Sequence, residues 1–207
     1  MALNLGVLVS GRGTNLQAVI DSIQKGSLEA EVCVVISSKQ DAYALKRAEK
    51  YGIPHYCVLR RDYKRQKDFE REMVNLLKKH DVELVVLAGF MTILSPYFVN
   101  EFKNKIINVH PSLIPAFCGK GFYGERVHKA VLDYGVKITG ATVHFVDEGT
   151  DTGSIILQQA VQVLDDDTVE SLGARVLKLE HELLPKAINL FARGKLKIEG
   201  RRVKILD

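Results

Sequence analysis

Leu5-Gly6-Val7-Leu8-Val9-Ser10-Gly11-Arg12-Gly13-Thr14-Asn15-Leu16 opens a chain of 207 residues. Leu5 to Val9 is a short apolar strand, and Ser10 to Gly13 is a glycine loop. From Asn15 to Gln24 the apolar residues Leu16, Val19, Ile20 and Ile23 recur at helical spacing. At such a junction backbone N–H groups and the positive end of a helix converge, and a phosphate fits there. Glycine lets the backbone come close. Thr14 or Asn15 is expected to cap the helix and to donate to a phosphate oxygen. Two readings stand side by side: a tight turn with ordinary capping, and a seat for a ligand bearing one phosphate. A dinucleotide fingerprint is excluded, because Leu16 stands where the third glycine belongs and the second strand ends in Ser37-Ser38-Lys39 without an acid for a ribose.

Outward from this stretch, strands and helices alternate. Ala30 to Ile36 is a second strand, Ala42 to Tyr51 a second helix and His55 to Leu59 a candidate third strand. Asp68 to Lys79 is a third helix and Val82 to Ala88 a fourth strand. The strands are continuously apolar, as in sheets buried on both faces. The pattern predicts an α/β fold with a Rossmann-like, doubly wound, mostly parallel sheet. Beyond Ile106 to Val109 the character changes. Ile138 to Val146 and Ser154 to Val163 alternate in polarity and predict an antiparallel C-terminal portion. Asp167 to Ala192 is a long helical region containing Pro185, and Lys195 to Ile198 with Val203 to Leu206 suggests a terminal hairpin. No repeat or linker divides the chain, so one domain over 1–207 is expected, with an N-terminal half to about residue 100 and a C-terminal half from about 101.

Composition narrows the class. Hydrophobic residues are 46% and charged residues 26% of the chain, which suits a globular protein with its own core. No apolar run is long enough to span a bilayer, and the N-terminus reads as a strand, not a signal peptide. Cys33, Cys57 and Cys118 are far apart without a CxxC pattern, so neither disulfides nor a zinc ribbon is expected, and a cytoplasmic location follows. The net charge of +4 is mild. Its one basic concentration, Arg193 to Lys204, lacks any nucleic-acid-binding motif, so a solvated tail is favoured.

Ile107-Asn108-Val109-His110-Pro111-Ser112 carries the chemistry. Asn108 and His110, two apart on a strand, share a face. Pro111 ends the strand at the histidine, at the edge where open α/β sheets gather ligands. An amide can donate to an oxyanion and an imidazole can move a proton; both residues can equally be structural. The acidic loop Asp147-Glu148-Gly149-Thr150-Asp151-Thr152-Gly153 offers a carboxylate to orient His110 and favour its protonated form, or is simply a polar turn. Gly89-Phe90-Met91-Thr92-Ile93-Leu94 is an apolar loop at a strand end, open to core packing or to lining a slot for a flat ring.

Taken together, Val9 to Ala18, Leu87 to Met91, Asn108 to Leu113, Gly140 to Val146, Asp151 to Ile156 and Glu180-His181 resemble the phosphoribosylglycinamide formyltransferases. The resemblance spans nearly the whole chain. It implies transfer of a formyl group from N10-formyltetrahydrofolate, as co-substrate, to the amine of glycinamide ribonucleotide in purine biosynthesis. It implies Asn108, His110 and Asp151 as the catalytic trio, with Asp151 raising the pKa of His110. Gly13, Thr14 and Asn15 would hold the substrate phosphate and Glu180 the ribose. Arg65, Met91, Thr92, Ile93, Leu94, Asn108 and Asp147 would hold the folate. No metal is implied. The expected partners are these small molecules, with no nucleic acid and no membrane, and a homodimer is left open. The chain departs from many members at Leu177, where a Gln or Lys is usual, and at Thr92, where an Arg or similar residue is common.

Methionyl-tRNA formyltransferase and formyltetrahydrofolate hydrolase share the Asn-x-His-Pro pattern and the distant Asp. Each is expected to need a further domain for which 207 residues leave no room. A nicotinamide-dependent oxidoreductase or a nucleotide sensor is disfavoured by the missing third glycine and ribose acid.

Overall fold

The computed structural model describes residues 2–207. It is a mixed α/β fold with nine strands and six α-helices among the described residues. Two compact units meet in sequence at Asn108 and Val109.

The first unit holds β1 (Leu3–Val9), α1 (Thr14–Gln24), β2 (Ala30–Ser37), α2 (Tyr43–Lys50), β3 (His55–Cys57), α3 (Gln66–Lys79), β4 (Leu84–Leu87), α4 (Pro96–Glu101) and the start of β5 (Ile106–His110). β1 pairs in parallel with β2 and β4, β2 with β3, and β4 with β5. This is the parallel sheet the strand–helix alternation predicts. Its core strands are apolar on both faces, and Leu5, Val7, Leu8, Val35, Ile36 and Val85 are fully buried. Gly6 lies in β1 because a Cβ there would stand 2.3 Å from the Leu77 side chain of α3.

The second unit carries β5 onward through His110, then α5 (Glu125–Tyr134), β6 (Ile138–Phe145), β7 (Ile155–Gln162), α6 (Val169–Ala192), β8 (Leu196–Glu199) and β9 (Arg202–Ile205). β6 and β7 are antiparallel, β8 and β9 form the expected hairpin, and β7 pairs with β9 in parallel. β6 and β7 come so close at Gly140 that a Cβ there would lie 2.0 Å from the Gln159 carbonyl. Pro185 lies within one continuous α6 and is buried. Its ring nitrogen cannot donate, so the rung to the carbonyl of His181 is missing. Thr168 and Ser171 start this helix with a reciprocal capping box.

Two α-helices went unforeseen. α4 is six residues long and begins at Pro96. α5 begins at the end of a glycine-dense stretch and is followed by Gly135 at φ 78°. The cap expected at α1 also differs: Gly13 itself, at φ 70°, is the N-cap, Thr14 is already helical, and no side chain closes this end. Capping geometry needs a residue outside the helix, and the chain enters the helix at Thr14. All three cysteines are free.

Candidate active site

His110 ends β5 and is 4% exposed. Its Nε2 lies 2.9 Å from the Phe117 carbonyl oxygen and its Nδ1 lies 3.6 Å from Asp151 Oδ2. An acceptor therefore faces each ring nitrogen, and only the imidazolium has a proton for both. Burial opposes that charge and is the larger effect. It holds the His110 pKa below its usual 6.5 despite the upward pull of Asp151 and of the Phe117 carbonyl. The Asp151 carboxylate pulls in the expected direction, toward the protonated ring, but desolvation is larger.

Asp151 is placed by its backbone. Its φ of 58° is left-handed, a conformation that Asp tolerates better than most residues. Oδ2 accepts the Gly119 N–H at 2.9 Å, and Oδ1 lies 3.7 Å from His144 Nε2. Burial pushes the Asp151 carboxyl up. The nearby His144 and His110 rings and the Gly119 N–H outweigh it, leaving the pKa below the usual range. His144, on β6 and 1% exposed, has its Nδ1 2.7 Å from the Phe145 carbonyl.

The segment after Pro111 is pinned so that Phe117 can face His110. Thr142 donates to the Ser112 carbonyl at 2.6 Å and accepts the Ile114 N–H at 3.1 Å, while Gln158 Nε2 donates to the Ile114 carbonyl at 2.9 Å. Ser112 Oγ donates to the Ala116 carbonyl at 2.6 Å. His128 of α5 is a further buried histidine, with no hydrogen-bond partner at Nδ1 among the described residues. Burial lowers its pKa, with Glu125 opposing and His110 assisting. Gly173 of α6 gives it room, since a Cβ there would lie 3.1 Å from the ring.

In the first unit the glycine loop is tightly built. A Cβ on Gly13 would come within 2.7 Å of the Ala44 side chain. Arg47 braces the loop from α2, donating to the Arg12 carbonyl at 2.9 Å and to Gln17 Oε1 at 2.8 Å. Thr14 is half-buried and Asn15 buried at the start of α1. Met91 and Ile93 are exposed, Thr92 is half-buried and Leu94 is buried. Asn108 is half-buried, in register with Leu87 of β4.

The other expected residues are placed as follows. Arg65 is exposed at the start of α3, and its guanidinium closes on both oxygens of Asp68 at 2.7 and 2.9 Å. The α3 side chain that reaches the apolar loop is the next one, Gln66, which donates to the Ile93 carbonyl at 2.9 Å. Asp147 folds its own loop, accepting from the Gly149 N–H at 3.1 Å and from Thr152 Oγ1 at 2.5 Å. Glu180 is buried on α6, and Leu177 is half-buried beside exposed Lys178. Of the expected residues the structure thus brings His110 and Asp151 together. His144, Gly119 and the Phe117 carbonyl complete that cluster without having been singled out.

Comparison with known proteins shows the family. The glycinamide ribonucleotide transformylase 1 of Symbiobacterium toebii superimposes with a TM-score of 0.95 at 46% identity, covering 100% of this chain and 95% of that one. The phosphoribosylglycinamide formyltransferase of Haemophilus influenzae is 38% identical over 195 residues, 94% of this chain and 90% of that protein. The trifunctional purine biosynthetic protein adenosine-3 of Gallus gallus is 43% identical over 196 residues, and this chain spans only 19% of its length. The family model described as formyl transferase matches residues 3–188. With most of its length matched by that model, the chain belongs to the formyl transferase family.

Proposed function

We propose that this chain transfers a formyl group from N10-formyltetrahydrofolate to the primary amine of glycinamide ribonucleotide, giving N-formylglycinamide ribonucleotide and tetrahydrofolate. The observation that carries this reading is the buried His110, with Asp151 at one ring nitrogen and a carbonyl at the other.

In this reading the amine attacks the formyl carbon, a C–N bond forms, and negative charge develops on the formyl oxygen. Asn108 donates its amide to that oxyanion. His110 starts neutral because it is buried, accepts a proton from the attacking amine and delivers it to N10 as the C–N10 bond breaks. Asp151 stabilises the imidazolium that exists between these two transfers. Gly13, Thr14 and Asn15 hold the phosphate, with Arg47 adding positive charge behind the loop, and Glu180 holds the ribose. Met91 to Leu94 and Asp147 receive the folate. The substrates are small anions, which fits a cytoplasmic enzyme with no nucleic-acid or membrane partner.

The test supplies both substrates to the purified chain and follows tetrahydrofolate and formylated product. The two should appear together, and His110→Ala should cut the rate by about 10²–10⁴-fold, the usual contribution of a general acid–base. Release of tetrahydrofolate with water as the only acceptor would overturn the assignment.

A further inference from the structure

Glu70 of α3 is a carboxylate with no solvent exposure. A buried carboxylate persists only where its oxygens are hydrogen-bonded. Its partners lie on the apolar loop and on its own helix. Oε1 accepts the Ser95 N–H at 2.7 Å and Gln66 Nε2 at 2.9 Å, and Oε2 accepts the Ser95 hydroxyl. Gln66, one turn earlier, also donates to the Ile93 carbonyl at 2.9 Å. The other end of the loop is fixed by Ser10 Oγ, which accepts the Met91 N–H at 2.9 Å and is itself tied to Ser38 Oγ at 2.6 Å.

Between these anchors Met91 is 43% and Ile93 53% exposed. A loop lacking regular structure is thereby held from behind while two large apolar side chains face water. A lone exposed apolar residue needs no explanation. Two of them on a loop pinned at both ends by buried polar groups make a preformed platform for a flat, largely apolar ligand.

We propose that Glu70, working with Gln66, is a positioning residue that sets affinity for the formyl donor by fixing the Met91–Ser95 loop. The inference rests on the reading that this loop receives the folate. Neither side chain would touch a reacting atom. Each would act through the backbone of residues 93 and 95.

The experiment measures KM for both substrates, kcat and Tm in Gln66→Ala, Glu70→Ala, Glu70→Gln and Ile93→Asp. Gln66→Ala removes the bond to Ile93 at a half-buried position where folding is safe. It should raise KM for N10-formyltetrahydrofolate about two- to tenfold, the size of one hydrogen bond. KM for glycinamide ribonucleotide and kcat should stay within about twofold. Glu70→Ala should raise the donor KM further. Glu70→Gln should restore much of it, because its carbonyl can accept from Ser95 N and its amide can donate to Ser95 Oγ. If both KM values rise together with a falling Tm, Glu70 is merely structural and the proposal fails. If Ile93→Asp raises the donor KM while Gln66→Ala and Glu70→Ala leave it alone, the positioning inference fails and the folate reading stands. If Ile93→Asp leaves the donor KM unchanged, the folate reading itself fails, and the proposal with it.

Discussion

His110 has an oxygen before each ring nitrogen, the Phe117 carbonyl at 2.9 Å and Asp151 at 3.6 Å, at a buried position that disfavours charge. These influences oppose one another, so removing one has a predictable sign. In an NMR titration the His110 ring should have a midpoint below 6.5, and Asp151→Asn should drive it lower still, because the one carboxylate pulling it upward has gone. A midpoint that rises in Asp151→Asn would show that the two groups are not coupled as the geometry requires. His110 was legible in the sequence because a proline stops a strand at it, whereas Asp151 was picked out of its acidic loop only by the resemblance. His144 was not, since a histidine on a buried strand face bears no local mark of its partner. The Gly119 N–H and Phe117 carbonyl are backbone groups, which side-chain patterns do not report. Arg65 was named through the resemblance alone, and its ion pair with Asp68 three residues on had no part in that choice.

At the scale of elements, periodicity located every strand and most of the helices. α4 escaped because six residues are too few to show a 3.6-residue repeat. α5 escaped because Gly119, Gly121 and Gly124 precede it and read as a loop, all three with positive φ. α6 is the opposite case, a long helix whose entry is sharply specified. Thr168 Oγ1 accepts the Ser171 N–H at 3.2 Å, and Ser171 Oγ accepts the Thr168 N–H at 2.9 Å. Thr168→Ala breaks this box and should lower stability to urea by about 1 kcal/mol with little change in activity. Loss of activity at full stability would mean that the α6 entry has a role beyond starting the helix.

Across the whole molecule, buried histidines govern the response to acid. His110 and His128 both titrate below 6.5 in the folded chain because burial disfavours their charge. Below that value the unfolded chain binds protons that the native chain does not, so stability falls as pH drops from about 6.5 toward the folded midpoints. Each ring contributes a slope of at most about 1.4 kcal/mol per pH unit. Asp151 adds its loss only further down, below about 3.8, since its carboxyl is held low in the native state. Calorimetry should show Tm declining between pH 7 and pH 5, and less steeply in His128→Gln. An unchanged slope would remove His128 from this account. The class of fold was readable at this scale because alternating apolar strands and amphipathic helices admit few arrangements. The boundary between units at Asn108 and Val109 was not, because it runs through an unbroken strand without any linker composition.

The left-handed backbone at Asp151 makes handedness part of the acid. Only Gly, Asn and Asp rest easily in that corner, and of the three only Asp brings a negative charge. Glutamate would keep the charge on a longer arm and an unwilling backbone. The loop therefore selects an amino acid and not merely an electrostatic sign, so an exchange that keeps the charge does not keep the fit.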